Sequence, residues 1–93
     1  MCMGYIDDKI EKIANYFGLT TYDIMRKDIS RNVSTARNYI YYVLRNDCGL
    51  TNRQVSEKMQ RDCRSIRRRN ATTKYLIDNF KDANKIYTDI KMI

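Results

Sequence analysis

The sequence contains no proline and no histidine, and only three glycines and three cysteines among its 93 residues. With no Pro/Gly-rich stretch, nothing divides the chain, and residues 1–93 read as a single domain. The missing histidine removes the side chain that most often serves as acid or base near neutral pH. No pair of carboxylates stands in a recognisable catalytic arrangement either, so no enzyme is expected. Cys2, Cys48 and Cys63 form an odd set without CxxC spacing. Together with the lack of histidine, this argues against the usual zinc sites, and no metal or other cofactor is expected. Such cysteine usage fits a reducing interior, so the expected location is cytoplasmic. Long apolar runs are also missing. No stretch approaches the ~20 apolar residues of a membrane span, and Asp7 and Asp8 argue against a signal peptide. The chain lacks a Gly-x-x-x-x-Gly-Lys phosphate loop, which excludes a complete ATP-driven machine. Few segments alternate apolar and polar residues, so strands are poorly supported.

What the chain has in excess is positive charge. Its formal net charge is +7. Most of that surplus lies between Arg53 and Lys74, where eight cations face only Glu57 and Asp62. A basic segment of this kind favours a polyanionic partner, and its concentration in one stretch favours nucleic acid over a diffuse solvated surface.

Apolar spacing predicts an all-α protein, a compact bundle of about six helices. Ile6, Ile10, Ile13 and Phe17 form one stripe, closed by Gly18. Thr20 and Thr21 can cap a short second helix from Tyr22 to about Lys27, and residues 28–33 read as a loop. Ser34 is the expected cap of a third helix ending near Asn46, with Ala36, Ile40, Val43 and Leu44 inward. Thr51-Asn-Arg-Gln54 fits a capping box that opens a fourth helix. Asp62 is the expected cap of a fifth, whose pattern weakens near Asn70. Leu76, Phe80, Ala83, Tyr87 and Ile90 then give the stripe of a sixth. The expected core comprises Ile10, Phe17, Ile40, Leu44, Val55, Ile66 and Phe80.

The fourth and fifth helices meet at a tight turn between Met59 and Asp62, with Val55 and Ile66 eleven residues apart. This spacing predicts a helix-turn-helix over about 51–70. Arg61, Arg64 and Arg68 recur at helical intervals on one face, with Arg67 and Arg69 beside it. An ordinary bundle hairpin gains nothing from such like charge, whereas duplex DNA rewards it through counterion release. On the third helix Arg37, Tyr41 and Arg45 share a face with Asn38 and Tyr42 beside it, a pattern able to reach successive phosphates. The competing expectation is a helical protein-interaction adaptor whose sixth helix pairs with a partner.

Several of these residues, in order, resemble the C-terminal DNA-binding domain (domain IV) of the bacterial replication initiator DnaA. They are Ile10 to Phe17, Ser30-Arg31, Val33, Ala36-Arg37-Asn38, Leu50-Thr51, Val55-Ser56, Arg61-Asp62 and Ser65-Ile66. The resemblance implies an all-helical, TrpR-like fold with a helix-turn-helix that binds double-stranded DNA, in replication initiation or its regulation. It also implies other replication or regulatory proteins as partners. Standing alone, such a module suits a transcriptional or replication regulator of phage or mobile-element origin. By position, Asp62, Cys63 and Arg64 match the base-reading trio. Arg37, Asn38, Arg45 and Arg68 match phosphate contacts, and Arg61 and Arg67 are expected to join them. Cys63 and Arg64 replace the family's usual His and Thr or Ser. Gln60 stands where the family has a glycine pair. Ile29 stands where a basic side chain enters the minor groove, leaving Lys27 or Arg31 as substitutes. Arg64 points to a guanine contact.

Overall fold

A computed structural model of the chain describes residues 3–26 and 31–92. Six helices follow one another: α1 (Met3–Tyr16), α2 (Thr21–Met25), α3 (Arg31–Asn46), α4 (Asn52–Met59), α5 (Cys63–Asn79) and α6 (Lys81–Lys91). Among the described residues there is no strand, and no helix is long and apolar enough to cross a membrane.

Local chemistry sets the boundaries. After α1 the chain turns at Gly18, whose φ of +76° lies in the left-handed region. There Leu19 N donates to Ala14 O and Gly18 N to Asn15 O, both at 2.9 Å, the paired bonds of a Schellman stop. Two capping boxes open short helices. Thr20 and Asp23 exchange side-chain bonds with each other's backbone N–H at 3.2 and 3.1 Å. Thr51 and Gln54 do the same at 3.1 and 2.8 Å, satisfying donors that a helix start leaves unpaired.

The third helix begins earlier than its sequence suggests. It starts at Arg31, so Ser34 lies inside it rather than capping it, and residues 31–33 are helical instead of loop. The reason is Val33, which is buried and extends the stripe of Ala36, Ile40, Val43 and Leu44 by one turn. Asn32 secures this turn by donating to Phe17 O at 3.4 Å.

The boundary between the last two helices also moves. α5 does not fade near Asn70 but runs unbroken to Asn79, carrying Leu76 with it. Its buried positions are Ile66, Thr73 and Ile77, and the polar Thr73 in that stripe is what disguises the helix in the sequence. The chain then bends at Phe80, which is extended in backbone and 53% exposed instead of buried. Phe17 is only partly buried, packed on the core's edge with its ring stacked on Tyr39.

The remaining expected core residues, Ile10, Ile40, Leu44, Val55 and Ile66, are buried. α3 lies at the centre, with α1, α2, α4 and α5 packed around it, while α6 packs on α5. Each Ile or Leu fully withdrawn from water contributes about 1.5–3 kcal/mol. Polar ties fasten α6 at its far end. Tyr87 donates to Asp47 at 3.0 Å, Tyr16 to Asp89 at 3.0 Å, and the buried Lys9 ammonium to Lys91 O at 3.4 Å.

Candidate nucleic-acid interface

The site is assembled around the junction of α4 and α5. Val55 and Met59 on α4 and Ile66 on α5 are buried, so both helices are anchored while the chain between them is drawn tight. Gln60 takes the left-handed conformation at φ 56°, a geometry that glycine adopts without strain and other residues adopt at a cost. Arg61 N donates to Ser56 O at 3.0 Å, and the Ser56 hydroxyl donates back to Arg61 O. The small Ser56 thereby locks the turn from both sides.

α5 then starts after Asp62. Asp62 occupies the cap position, as expected, but its carboxylate makes no capping bond and it is exposed. Cys63 is half-buried in the first turn, and Arg64 beside it is exposed. Ile66, Thr73 and Ile77 turn one face of α5 inward, and the opposite face presents Arg64, Arg67 and Arg68 to solvent. Elsewhere several surface cations find carboxylates. Lys12 pairs with Asp8, Arg53 with Glu57, Lys58 with Asp7, and Lys74 with Asp78. Among the described residues no carboxylate lies within ion-pair distance of Arg64, Arg67 or Arg68. Like charges held together without counter-ions raise the local potential and favour an incoming anion.

A groove of about 270 Å³ runs between α3 and α5, lined by Asn38, Ser65, Arg68, Arg69 and Thr72. Arg69 leans across it and donates to Asn38 Oδ1 at 3.2 Å. Hydroxyls, an amide and two guanidiniums suit the acceptor oxygens of a phosphate. Ser65 enters the sequence reading only as part of the family resemblance, not as a contact residue, and Thr72 does not enter it. Their helical offsets from Arg68, three and four residues, are the signal that places them beside it.

The third helix contributes less than its sequence promised. Arg37 and Tyr41 do not face solvent: they are 8% and 1% exposed. Arg37 Nε donates to Ile24 O at 2.8 Å, and its Nη2 donates to Arg26 O. It is therefore a cross-link from α3 to the end of α2, and its placement does not suit the phosphate contact expected of it. The apolar residues on either side, Ala36 and Ile40, pull that face of the helix into the core. Arg45 is exposed but stands seven residues beyond Asn38, about 10 Å along the helix, so it is not brought to the groove. It lies in the last turn of α3, where a cation offsets the helix dipole. Asn38 is brought there.

Arg61 is half-buried, and its Nη2 donates to Arg26 O at 2.9 Å. Its guanidinium points toward α2, joining Arg37 on the same carbonyl. Arg31 is exposed at the start of α3. Lys27, the other candidate for the minor groove, lies outside the described residues. Among the described residues no group of His, Cys, Asp and Glu is arranged to hold a metal ion. No protein-family model matches the sequence, and no curated protein is significantly similar to it.

Proposed function

We propose that this chain binds double-stranded DNA sequence-specifically, using α4, the turn and α5 as a helix-turn-helix with the start of α5 in the major groove. The observation that carries this reading is the solvent face of α5, where Arg64, Arg67 and Arg68 stand together with no carboxylate partner among the described residues. In this arrangement Asp62, Cys63 and Arg64 read base edges: Arg64 offers a paired donor to guanine, and Asp62 an acceptor for the cytosine amino group. Arg67, Arg68 and the groove with Asn38 hold phosphates, which set register and supply salt-dependent affinity. The resemblance of its motif residues to DnaA domain IV supports a role in replication initiation or its regulation, and we place this role in the cytoplasm, without catalysis.

The decisive experiment is selection from a random duplex pool, followed by titration of the winning site at several salt concentrations. A defined motif is expected, with a slope of log K against log salt of about −4. Recovery of no motif, or a slope near zero, overturns the reading. A protein-interaction adaptor would then be favoured by the exposed Tyr75, Leu76 and Phe80, two of whose rings meet edge-on at 6.3 Å.

A further inference from the structure

Arg61 is the last residue before the cap of α5, and it is held at both ends. Its backbone is tied to α4, by Arg61 N donating to Ser56 O at 3.0 Å and by the Ser56 hydroxyl donating to Arg61 O. Its side chain reaches thirty-five residues back along the chain, where Nη2 donates to Arg26 O at 2.9 Å. Nη1 turns to Gln60 O at 3.4 Å. Both terminal nitrogens of the guanidinium are therefore directed at backbone carbonyls of the protein itself. A bond from a charged donor to a carbonyl is stronger than one between neutral groups.

The carbonyl that receives Nη2 is well anchored. Arg26 closes α2, and Ile24 in that helix is fully buried. Arg37 of α3 donates to the same Arg26 O and, through Nε, to Ile24 O at 2.8 Å. A helix of five residues does not hold itself in place, so α3 and the core locate the end of α2. Arg61 passes that position on to the turn.

The start of α5 has few other ties. The Asp62 carboxylate makes no capping bond, and the first buried residue of the helix is Ile66. Gln60, just before Arg61, is held in a left-handed conformation that a residue other than glycine adopts at a cost. Base reading needs its side chains placed to a fraction of an ångström.

We propose that Arg61 is a positioning residue for base reading. Tethered to α2, it fixes where the start of α5 enters the groove and so sets the selectivity of Asp62, Cys63 and Arg64, without holding a phosphate itself. The inference rests on the DNA reading given above.

The test compares the wild type, Arg61→Ala and Arg61→Lys on the selected duplex and on a random duplex over a salt series, at a temperature where all three are folded. Arg61→Ala is expected to lose roughly tenfold in affinity for the selected duplex, while its affinity for random duplex and its salt slope stay those of the wild type. Arg61→Lys, which still brings one charged donor toward the carbonyl, is expected to recover part of the selectivity. In the free protein the Ile66 amide, which donates to Asp62 O at 3.0 Å, is expected to exchange its hydrogen faster in Arg61→Ala, with the amides of α3 unchanged. Equal losses on both duplexes, with a slope shallower by about 1, overturn the inference and make Arg61 a phosphate contact. An unchanged ratio of the two affinities overturns it as well, and so does an Ile66 amide that the variant leaves unmoved. A wild type that binds no duplex defeats the DNA reading instead, and is told apart by the titration of the wild type alone.

Discussion

Helices α3 and α5 carry the same kind of sequence signal, arginines repeated at helical spacing, and the fold treats them in opposite ways. Half of α3 is buried, eight of its sixteen residues, including Arg37 and Tyr41. Only three of the seventeen residues of α5 are buried. α3 sits between four neighbours and α5 between three, but the buried positions of α5 are confined to one stripe. An arginine on the crowded helix becomes a strut between backbone carbonyls. An arginine on the half-bare helix keeps its charge in solvent. The spacing of cations locates a face of a helix, and which faces the neighbouring helices cover decides whether it meets water.

The sharpest way to break the comparison is to remove Arg37. If it is a strut, Arg37→Met deletes the charged hydrogen bonds to Ile24 O and Arg26 O and leaves the Ile24 carbonyl without its Arg37 donor, while Arg26 O keeps Arg61. The expected loss of stability is about 3 kcal/mol, measured by urea unfolding. At a temperature where the variant remains folded, the salt slope of DNA binding is expected to match that of the wild type. A shallower slope with unchanged stability would return Arg37 to the phosphate contacts.

The matching experiment on α5 is Arg64→Ala. No stability change beyond about 0.5 kcal/mol is expected, because the side chain is exposed. Binding to the selected site is expected to weaken by about 1–3 kcal/mol while binding to random duplex changes little, so preference relaxes at one or two base pairs. Arg68→Ala, beside the groove, is expected to weaken both alike. Equal losses on both duplexes for Arg64→Ala would make Arg64 a phosphate anchor and move base reading to Asp62 and Cys63.

The sequence carried the parts of this fold that depend on near neighbours. The Thr51–Gln54 box, the Gly18 stop and the stripe Ile40–Leu44 were legible because each is decided within one or two turns. What escaped depends on residues far apart. Arg37 reads as a surface cation until α2 is seen to lie thirteen residues back with two carbonyls aimed at it. Phe80 reads as core because it continues the spacing from Leu76 to Ala83, yet the break of the helix at that residue turns its ring outward. For the site, Arg64 and Arg68 share an exposed face as expected, whereas Arg61, expected on the same face, precedes α5 and turns toward α2.

A smaller effect sits under the exposed face of α5. Thr73 is 2% exposed, and its hydroxyl has no hydrogen-bond partner. A buried hydroxyl left unpaired gives up its hydration for nothing. Thr73→Val keeps the shape and removes the polar atom, so stability is expected to rise by about 1 kcal/mol, or roughly 4–8 °C in Tm for a domain of this size. DNA affinity is expected to stay the same, since the change lies on the inward side of α5. An unchanged or lowered Tm would mean that the hydroxyl finds a partner in solution.

The smallest effect concerns the other end of α3, where Tyr87 of α6 donates to both oxygens of Asp47 at 3.0 and 3.1 Å. Burial, then the hydrogen bond to Asp47 and its charge, push the Tyr87 phenol up to about 12 from its ordinary 10. In the unfolded chain the phenol ionises around pH 10, while in the folded protein it keeps its proton. Between pH 10 and about 12 the folded state therefore binds more protons, and its stability falls as pH rises. The contribution is complete below pH 10 and is gone above the folded value. Tyr16, Tyr39 and Tyr42 are also pushed up, so the wild type alone does not isolate the contact. Comparison with Tyr87→Phe does. The variant is expected to be less stable by about 1 kcal/mol near neutral pH, and its deficit is expected to shrink as the pH rises above 10. A gap that stays constant to pH 12 would show that the phenol is not coupled to Asp47, and that α6 is held to α3 by ring packing against Tyr42, 5.1 Å away between centroids.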